Sequence, residues 1–174
     1  NQVDNHWVRD EEKNFSVVEK VEIIPLEVVV RNTLAGSTAK KLGIEEGLVL
    51  KKPLVEFYYK KDELADPFVS DDQILMMEIA SEKDLQELKT SALKVNSLLK
   101  SLFDKMGLQL VDFKIEIGRS AQGLVLADEI SPDCCRLWDQ VTGEKMDKDR
   151  FRRDLGSVAE TYEEVCRRLS EVLR

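Results

Sequence analysis

Histidine, long apolar runs and a basic-then-apolar leader are scarce or missing in this 174-residue chain. His6 is the single histidine and lies in a polar stretch without a local partner. This disfavours a hydrolase built on a histidine base. The longest apolar stretches span only a few residues, too short to cross a bilayer. Because a secretory leader pattern is also missing, we expect a cytoplasmic protein without a membrane partner.

Cysteine and positive charge are also limited. Cys134, Cys135 and Cys166 match neither a metal-binding spacing nor an even-numbered disulfide framework, and we interpret them as small, reduced, buried side chains. The 34 acidic residues outnumber the 26 Lys and Arg residues, giving a net charge of −8. A nucleic-acid partner is therefore disfavoured, because it needs a basic face. A few local Arg and Lys side chains can still hold a small anionic substrate.

The composition, 43% hydrophobic and 34% charged, is typical of one globular domain with a core. Its clearest element is a predicted helix from Ser81, a good N-cap, to Met106, ended by Gly107. One apolar stripe follows helical spacing: Leu85, Leu88, Ala92, Val95, Leu99, Leu102 and Met106. A closing helix is predicted over residues 158–173, with these side chains facing the core: Tyr162, Val165, Leu169 and Leu173.

Strand patterns fill much of the remaining chain. Val- and Ile-rich residues predict two strands within 15–30, and another strand is predicted over 54–59. A hairpin is predicted over 109–128, with its turn at residues 119–123. A short helix from Thr38 ends at Gly43, and residues 60–72 and 131–139 are expected to be loops. These elements predict an α+β fold with a mainly antiparallel sheet and packed helices.

One strand of the hairpin places Asp112, Lys114 and Glu116 on the same face, because side chains alternate along a strand. Two acids and a lysine on one face suit a nucleotide site, where the lysine can neutralise charge on a transferring phosphoryl group. The alternative is a solvated polar face with an ordinary cross-strand ion pair, which is common on half-buried sheets.

The turn of the hairpin decides whether a second acid joins that face. If it centres on residues 120–122, Glu116 lies opposite Leu126 and Asp128 is its diagonal neighbour, about 7–8 Å away. Two carboxylates at that distance could share one Mg²⁺ together with phosphate oxygens. A register slip of one residue would break this arrangement.

A second candidate site is Arg31 with Gly36 and Ser37, just before the short helix. Free N–H groups at a helix start, a hydroxyl and an arginine are the groups that bind a phosphate monoester. The alternative is that Ser37 only caps the helix.

A third candidate is Asp133 with Arg136, in a loop that could place groups at the mouth of a site. Two charged pairs, Glu45–Glu46 and Lys51–Lys52, are instead expected to be solvated surface.

The sequence contains these blocks in order: Ile24–Arg31 followed by Ala35–Ser37, then Leu110–Gly118, Ala127–Asp133, Arg136–Asp139 and Asp147–Arg152. They resemble the blocks of the SAICAR synthetase family, which occur in the same order, and the likeness runs from about Val21 to the end. Ile117 stands where the family usually has Phe, an exchange of one apolar side chain for another. The resemblance implies the larger, C-terminal part of a two-lobe ATP-binding fold.

The resemblance also implies a role for each matching residue. Glu116 and Asp128 would hold Mg²⁺ and the ATP phosphates, with Lys114 and Asp128 at the reacting groups. The chain passes the adenine at three positions: Val21, Glu22 and Ile23. Contacts to the phosphoribosyl imidazole carboxylate are implied for Arg31, Ser37, Asp133 and Arg136. Four further residues are implied to lie near the substrates: Lys60, Asp66, Lys148 and Arg152.

The activity implied by the resemblance is the ligation of L-aspartate to 5-amino-1-(5-phospho-D-ribosyl)imidazole-4-carboxylate, which gives SAICAR, ADP and phosphate in purine biosynthesis. ATP first phosphorylates the carboxylate, a poor acceptor, and the aspartate amine then displaces phosphate. Such catalysis consists mainly of positioning and charge neutralisation, so it needs no histidine or cysteine nucleophile. A homodimer is the assembly that the family suggests.

Residues 1–20 contain no glycine, whereas the family carries an N-terminal lobe with a glycine-containing turn and a lysine that cover ATP. We expect residues 1–20 to be a remnant of that lobe or a linker, and residues 21–174 to be the substrate- and ATP/Mg-binding domain. On this interpretation the chain alone is inactive as a ligase. The alternatives are a non-catalytic nucleotide- or metabolite-binding fragment, and a different phosphoryl-transfer enzyme on a similar fold.

Overall fold

The computed structural model describes residues 3–12 and 15–174, so the parts of the predicted polar leader at 1–2 and 13–14 lie outside the described residues. The strands are β1 (Trp7–Asp10), β2 (Ser16–Val18), β3 (Glu22–Ile23), β4 (Leu26–Thr33), β5 (Val49–Tyr59), β6 (Phe68–Val69), β7 (Leu108–Ile115), β8 (Ile117–Ser120), β9 (Gly123–Leu126) and β10 (Cys135–Asp139). The helices are α1 (Gly36–Leu42), α2 (Asp71–Met76), α3 (Glu82–Lys105), α4 (Asp149–Arg152) and α5 (Val158–Val172).

The strands form three sheets among the described residues. Their hydrogen-bonded orders are β1-β2, β10-β7-β4-β5-β6 and β3-β8-β9. The strand pairs β1–β2, β3–β8, β5–β6, β7–β10 and β8–β9 are all antiparallel. The predicted α+β class with a mainly antiparallel sheet is therefore confirmed.

The chain divides into two compact units. The first unit comprises residues 1–29, 55–94 and 115–129, and the second comprises residues 30–54, 95–114 and 130–174. The core of the first unit includes Leu26, Val28, Phe57, Ile74, Leu88 and Ile115. The core of the second unit includes Val30, Leu108, Val111, Phe113 and Leu137.

Helix α3 begins and ends as its sequence predicts. The Asp84 backbone N–H donates to Ser81 Oγ at 3.2 Å, and the Ser81 N–H donates back to Asp84 Oδ2 at 3.0 Å. This reciprocal box satisfies two donors that a helix start leaves free. Gly107 follows the helix with a φ of 69°, a conformation that glycine adopts without strain.

Two positions of the predicted helix stripes are wrong. In α3, Phe103 is buried where Leu102 was expected, because the stripe advances by four residues after Leu99. In α5, Thr161 and Val165 are buried, but Leu173 is exposed because it follows the last helical residue. Helix ends pack less than helix centres, and a periodic pattern alone does not show where packing stops.

Two segments differ from the predicted short helix and loop. Helix α1 begins at Gly36 rather than Thr38, so Ser37 lies in its first turn, and Gly43 ends it with a φ of 64° as expected. The expected loop at 60–72 contains a 3₁₀ turn at Asp62–Leu64, strand β6 and the start of α2. These elements are too short to show a period, and α2 is marked by a capping box between Ser70 and Gln73.

The register of the hairpin β8–β9 differs from the expected one by a single residue. Ser120 pairs with Gly123, so the turn has two residues and Leu126 pairs with Ile117. The expectation that Glu116 lies opposite Leu126 was therefore wrong. It assumed a turn with three central residues, and one residue fewer moves every pair by one.

Residues Arg136–Asp139, expected in a loop, belong to strand β10. It pairs with β7 from Cys135 opposite Phe113 to Asp139 opposite Leu108, with an irregularity between Arg136 and Leu137. Its residues alternate between buried and half-buried. Five residues with two charges and a tryptophan give too weak an alternation to identify the strand from sequence.

The cysteines are all free, and two of them fit the expected burial. Cys134 and Cys135 are buried, whereas Cys166 is exposed on α5, contrary to expectation. Position 166 follows the buried Val165 and faces away from the core on the amphipathic helix. In the part of the chain that the structure describes, no helix is long and apolar enough to cross a membrane.

Candidate functional site

A buried carboxylate between two arginines is the central feature of the second unit. Asp112 on β7 lies opposite Arg136 on β10, and Arg31 extends from β4. Arg31 Nη1 donates to Asp112 Oδ2 at 2.7 Å, and Arg136 Nη1 donates to Asp112 Oδ1 and Oδ2 at 3.1 and 2.9 Å. Because Arg31 and Asp112 are buried, these bonds are shielded from water and fix the geometry of the arginines.

A second carboxylate holds the other side of Arg136. Its Nε donates to Asp149 Oδ2 at 3.0 Å. Burial by itself lowers the pKa of Arg136, but the charges of Asp112 and Asp149 outweigh it and the pKa is raised overall. Arg136 therefore carries its positive charge at every pH at which the protein is folded.

Asp147 holds the backbone next to Arg136 and at Asp149 in place. Its carboxylate accepts the backbone N–H groups of Leu137 at 2.7 Å and Asp149 at 2.8 Å. It is one of the fully buried side chains, and burial raises its pKa. Asp147 thus connects the start of α4 to strand β10 and sets the position of Asp149 beside Arg136.

A pocket of about 770 Å³ lies next to this cluster, within the second unit. Three residues predicted to bind substrate line it together: Ser37, Arg136 and Arg152. Lys40 and Arg153 add further positive charge to its wall. Arg31, predicted at the same phosphate, is instead buried against Asp112. The pocket has the hydroxyl and guanidinium donors that bind a phosphate group.

Gly36 allows Arg136 to reach the pocket wall. A Cβ atom at this position would lie 2.7 Å from Arg136 Nη2, closer than any side chain tolerates, and Gly36 has a φ of 63°. Both the close approach and the left-handed backbone require glycine. The motif Gly36–Ser37 was selected from the sequence for its helix start, and the structure adds this steric reason.

Glu46 is a residue of this pocket that the sequence did not identify. Its Oε1 accepts the Gly36 backbone N–H at 3.1 Å and Arg153 Nη2 at 2.7 Å, and its Oε2 accepts Lys145 Nζ at 3.3 Å. The Arg153 bond lowers the pKa of Glu46 to about 2. Its partners Lys145 and Arg153 are 99 and 107 residues away in the chain, so the sequence showed only a charged pair, expected to be solvated.

A second pocket of the same unit, of about 360 Å³, brings together three predicted substrate residues. Asp133, Lys148 and Arg152 line it together with Tyr162. The Tyr162 hydroxyl donates to Asp133 Oδ1 at 2.7 Å, and burial followed by this bond raises the pKa of Tyr162. Burial, then the charges of Arg152 and Arg136, lower the pKa of Lys148. Arg152 lines both pockets.

In the first unit, Glu116 pairs with a lysine. Lys60 Nζ lies 2.5 Å from Glu116 Oε2, and Glu116 is buried whereas the Lys60 side chain is 42% exposed. The Ala127 N–H donates to the Glu116 carbonyl oxygen at 3.0 Å, so Asp128 follows directly after the cross-strand neighbour of Glu116. Because β9 ends at Leu126, strand alternation does not orient the Asp128 side chain.

Glu116 and Asp128 can be compared with the ligands that a Mg²⁺ ion uses in proteins. Among the described residues, no group of three or more His, Cys, Asp and Glu side chains is suited to a metal ion. Mg²⁺ commonly uses one or two carboxylates and completes its shell with phosphate oxygens and water. A buried Glu116 next to the segment of Asp128 fits that requirement.

The first unit also contains a pocket of about 540 Å³, and Lys60, the ion-pair partner of Glu116, is part of its wall. Ile23, Pro25 and Lys60 line it, so one of the residues predicted at the adenine and one predicted at substrate meet there. Among residues 3–12 and 15–174, strand β3 is at the edge of its sheet and pairs with β8 alone, with Glu22 opposite Arg119. One side of its backbone therefore faces away from β8.

The remaining predicted residues have local structural partners. Val21 packs against Gly118, where a Cβ atom would lie 2.4 Å from Val21 Cγ2. Asp66, with a φ of 44°, accepts the Lys61 N–H at 2.7 Å and shapes the turn after Lys60. The Lys114 backbone N–H donates to the Cys134 carbonyl oxygen at 2.9 Å, and its side chain is half-buried.

The α+β fold has an arginine-lined pocket in one unit and a carboxylate–lysine pair in the other, and these are groups that enzymes use to bind phosphorylated small molecules. Residues 1–169 match the family described as SAICAR synthetase. The chain belongs to this family of enzymes, as the sequence motifs predicted.

Individual relatives support the same family assignment. Phosphoribosylaminoimidazole-succinocarboxamide synthase of Anoxybacillus flavithermus is 55% identical over 168 residues, which are 96% of this chain and 70% of that protein. The crystal structure of the enzyme with the same name from Ehrlichia chaffeensis is 45% identical and has a TM-score of 0.93, covering 97% of this chain and 73% of that one. A SAICAR synthetase in complex with ADP has a TM-score of 0.94 at 45% identity, with coverage of 97% and 72%.

Proposed function

We propose that this chain acts in the ATP-dependent joining of L-aspartate to 5-amino-1-(5-phospho-D-ribosyl)imidazole-4-carboxylate, which gives SAICAR, ADP and phosphate in purine biosynthesis. The observation that carries the proposal is the pocket in which Ser37, Arg136 and Arg152 meet. Relatives named phosphoribosylaminoimidazole-succinocarboxamide synthase handle a phosphoribosyl compound, and this pocket offers the donors that its phosphate needs.

The second substrate pocket follows from the same proposal. Asp133, Lys148 and Arg152 lie at its wall, and we assign them to the body of the imidazole substrate. Lys148 and Arg152 line this pocket together with Asp133, so an anionic group in it would meet two positive charges beside one carboxylate. Aspartate and the imidazole carboxylate are both anions, and such a wall brings them together against their mutual repulsion.

The nucleotide is proposed to bind in the first unit. The SAICAR synthetase that was solved with ADP supports nucleotide binding in the family. The backbone of Val21, Glu22 and Ile23 on the edge strand β3 would meet the adenine. Glu116 and Asp128 would hold Mg²⁺, which supplies charge neutralisation for the ATP phosphates. Lys60, which forms an ion pair with Glu116, would remain beside the same phosphates.

In this reaction the chain mainly positions the substrates and neutralises their charge. The imidazole carboxylate takes the γ-phosphoryl group of ATP, and the aspartate amine then attacks the acyl phosphate and releases phosphate. Lys114 is proposed to neutralise charge at the reacting groups, and Arg136 to hold the ribosyl phosphate. Effective concentrations from such positioning can account for several powers of ten in rate.

The proposal extends to the organisation of the protein. Residues 21–174 contain the residues assigned to substrates and nucleotide, and residues 1–20 are assigned to a linker or to part of another lobe. A homodimer in the cytoplasm is the assembly and location that we propose with this activity.

The test is an omission assay. A full-length enzyme that contains these 174 residues is given ATP, Mg²⁺, L-aspartate and the phosphoribosyl imidazole carboxylate, and ADP and SAICAR are measured as each reactant is left out. We expect the two products in equal amounts, and only with all reactants present. Direct titration of the imidazole carboxylate with and without its 5′-phosphate is the matched binding control. ADP release that does not depend on aspartate, or equal binding of both forms, would contradict the proposal.

A further inference from the structure

Arg136, on the wall of the pocket, is in contact with two carboxylates. Asp112 and Asp149 cancel the charges of Arg31 and Arg136, so these four residues together contribute no net charge to attract an anion. If the pocket worked by charge alone, two acids next to Arg136, one of its cations, would weaken it. Their presence therefore calls for another explanation.

The hydrogen bonds of Arg136 give that explanation. Its Nε is bound to Asp149, and its Nη1 is bound to both oxygens of Asp112. A guanidinium is planar, so fixing Nε and Nη1 also fixes Nη2. In the part of the chain that the structure describes, Nη2 makes no hydrogen bond of its own, and it is the Arg136 atom nearest to the Cβ position of Gly36.

We propose that Asp112 and Asp149 are positioning residues that aim Arg136 Nη2 at a phosphate monoester, and that Gly36 is the residue that admits this guanidinium to the pocket. The inference rests on the proposed function, which places a phosphate in the same pocket. Arg31 completes the arrangement by holding Asp112 from the buried side at 2.7 Å. The two carboxylates restrict the rotamers of Arg136 before the ligand arrives, so less entropy is lost on binding.

Positioning and charge predict opposite results for one substitution. Asp112→Asn removes a negative charge from beside Arg136, so a purely electrostatic pocket would bind phosphate more tightly. A positioning role predicts weaker binding, because an amide offers one acceptor oxygen in place of two and Arg136 loses its fixed orientation. The direction of the change in affinity separates the two explanations.

The experiment titrates ribose 5-phosphate, with ribose as the control ligand, into the 174-residue chain at fixed salt. We expect Asp112→Asn to weaken ribose 5-phosphate binding about tenfold, the loss typical of a charged hydrogen bond. Gly36→Ala keeps every charge and should weaken binding by a similar factor, because the added Cβ atom displaces Nη2. Asp149→Asn removes the negative charge beside Arg136 Nε and decides the question if Asp112→Asn does not fold, as checked by circular dichroism.

Asp139→Asn is the matched control. Asp139 accepts Arg168 Nη1 at 2.8 Å on the same strand β10, but neither residue lines the pocket, so binding should stay within about twofold. Equal or tighter binding by Asp112→Asn, or an equal loss in the Asp139 control, would overturn the positioning role and leave the phosphate pocket in place. If the unsubstituted chain binds ribose 5-phosphate no better than ribose, the proposed phosphate pocket is wrong and this inference falls with it.

Discussion

Asp112 and Glu116 lie close together in the sequence, yet each belongs to a different unit and has a different kind of partner. The Asp112 side chain is 5% exposed and is held by two arginines, one of them equally buried. Glu116 is also buried, but its partner Lys60 is 42% exposed. A planar guanidinium between carboxylates has one orientation, whereas a flexible ammonium can move aside. The comparison contrasts the fixed site proposed for the phosphate monoester with the adaptable one proposed for the nucleotide.

The largest effect is expected from Arg31→Ala, which disrupts the fixed site around Asp112. Arg31→Ala leaves Asp112 buried with one arginine fewer, and the loss of a partner from a buried pair costs about 3–5 kcal/mol. In the enzyme, the KM for the imidazole substrate should rise more than the KM for ATP, because Asp112 then holds Arg136 less firmly. Urea unfolding and initial rates measure the two effects.

The matched control for this change is an exposed arginine. Arg9 pairs with Glu11 at 2.8 Å, and both side chains are more than half exposed. Arg9→Ala should change the free energy of unfolding by less than about 1 kcal/mol. If Arg31→Ala is equally mild, or raises both KM values alike, the description of Asp112 as a fixed centre is wrong.

The second prediction sharpens the adaptable site. Lys60→Ala should change stability by less than about 1 kcal/mol, because its ion pair is partly in water. It should weaken ADP binding about tenfold, because the pocket loses a cation at the phosphates. Lys61→Ala is the control, since Lys61 lines the same pocket but its ammonium pairs with Glu63. Equal losses from the two variants, measured by calorimetry, would show that only the total charge matters.

The third prediction concerns the pH range in which the arginine-lined pocket is intact. Arg153 lowers the pKa of Glu46 from 4.5 to about 2 in the folded chain. A lowered pKa stabilises the fold above the unfolded value, and this contribution is lost as the pH falls from 4.5 towards 2. At pH 7 the free energy of unfolding of the wild type should therefore exceed that of Glu46→Gln by about 1 kcal/mol. This difference should disappear in thermal melts at progressively lower pH, and a difference that does not change with pH would contradict the lowered pKa of Glu46.

The smallest expected effect tests the hairpin that sets the position of Glu116. Ser120 Oγ accepts the Gln122 N–H at 3.1 Å and closes the two-residue turn. Ser120→Ala should lower stability by about 0.5–1 kcal/mol without changing the register, because the Gly123 backbone is kept. Chemical shifts of Ile117 and Leu126 report the register. A shift of pairing by one residue would show that the hydroxyl, rather than the turn length, selects it.

The sequence predicted the elements that have strong local signals. Ser81 and Gly107 marked the ends of α3, and Gly43 marked the end of α1, because caps and turns depend on neighbouring residues alone. The motifs also led to the family and to Arg136, Arg152 and other residues that the structure brings to shared pockets. Their individual roles stay predictions.

What the sequence could not show depends on distant partners. The turn length between Ser120 and Gly123 differs by one residue from the expected one, a change too small for propensities to resolve. Glu46 has the composition of ordinary surface, and only the fold brings Lys145 and Arg153 to it. Asp149 lay inside a recognised block, Asp147–Arg152, so that motif was the available signal for it.

The contrast between the buried and exposed cysteines makes the strand of Arg136 observable. Cys166 is exposed, whereas Cys135 lies on β10 and its pKa is raised by the Cys134 hydrogen bond and by burial. A maleimide should therefore label the folded chain at Cys166 at once, since the reaction needs an accessible thiolate. Later labelling of Cys134 and Cys135 would time each local opening of the strand. A ligand that slows the labelling of Cys134 and Cys135 is one that binds close to Arg136 and stabilises its strand.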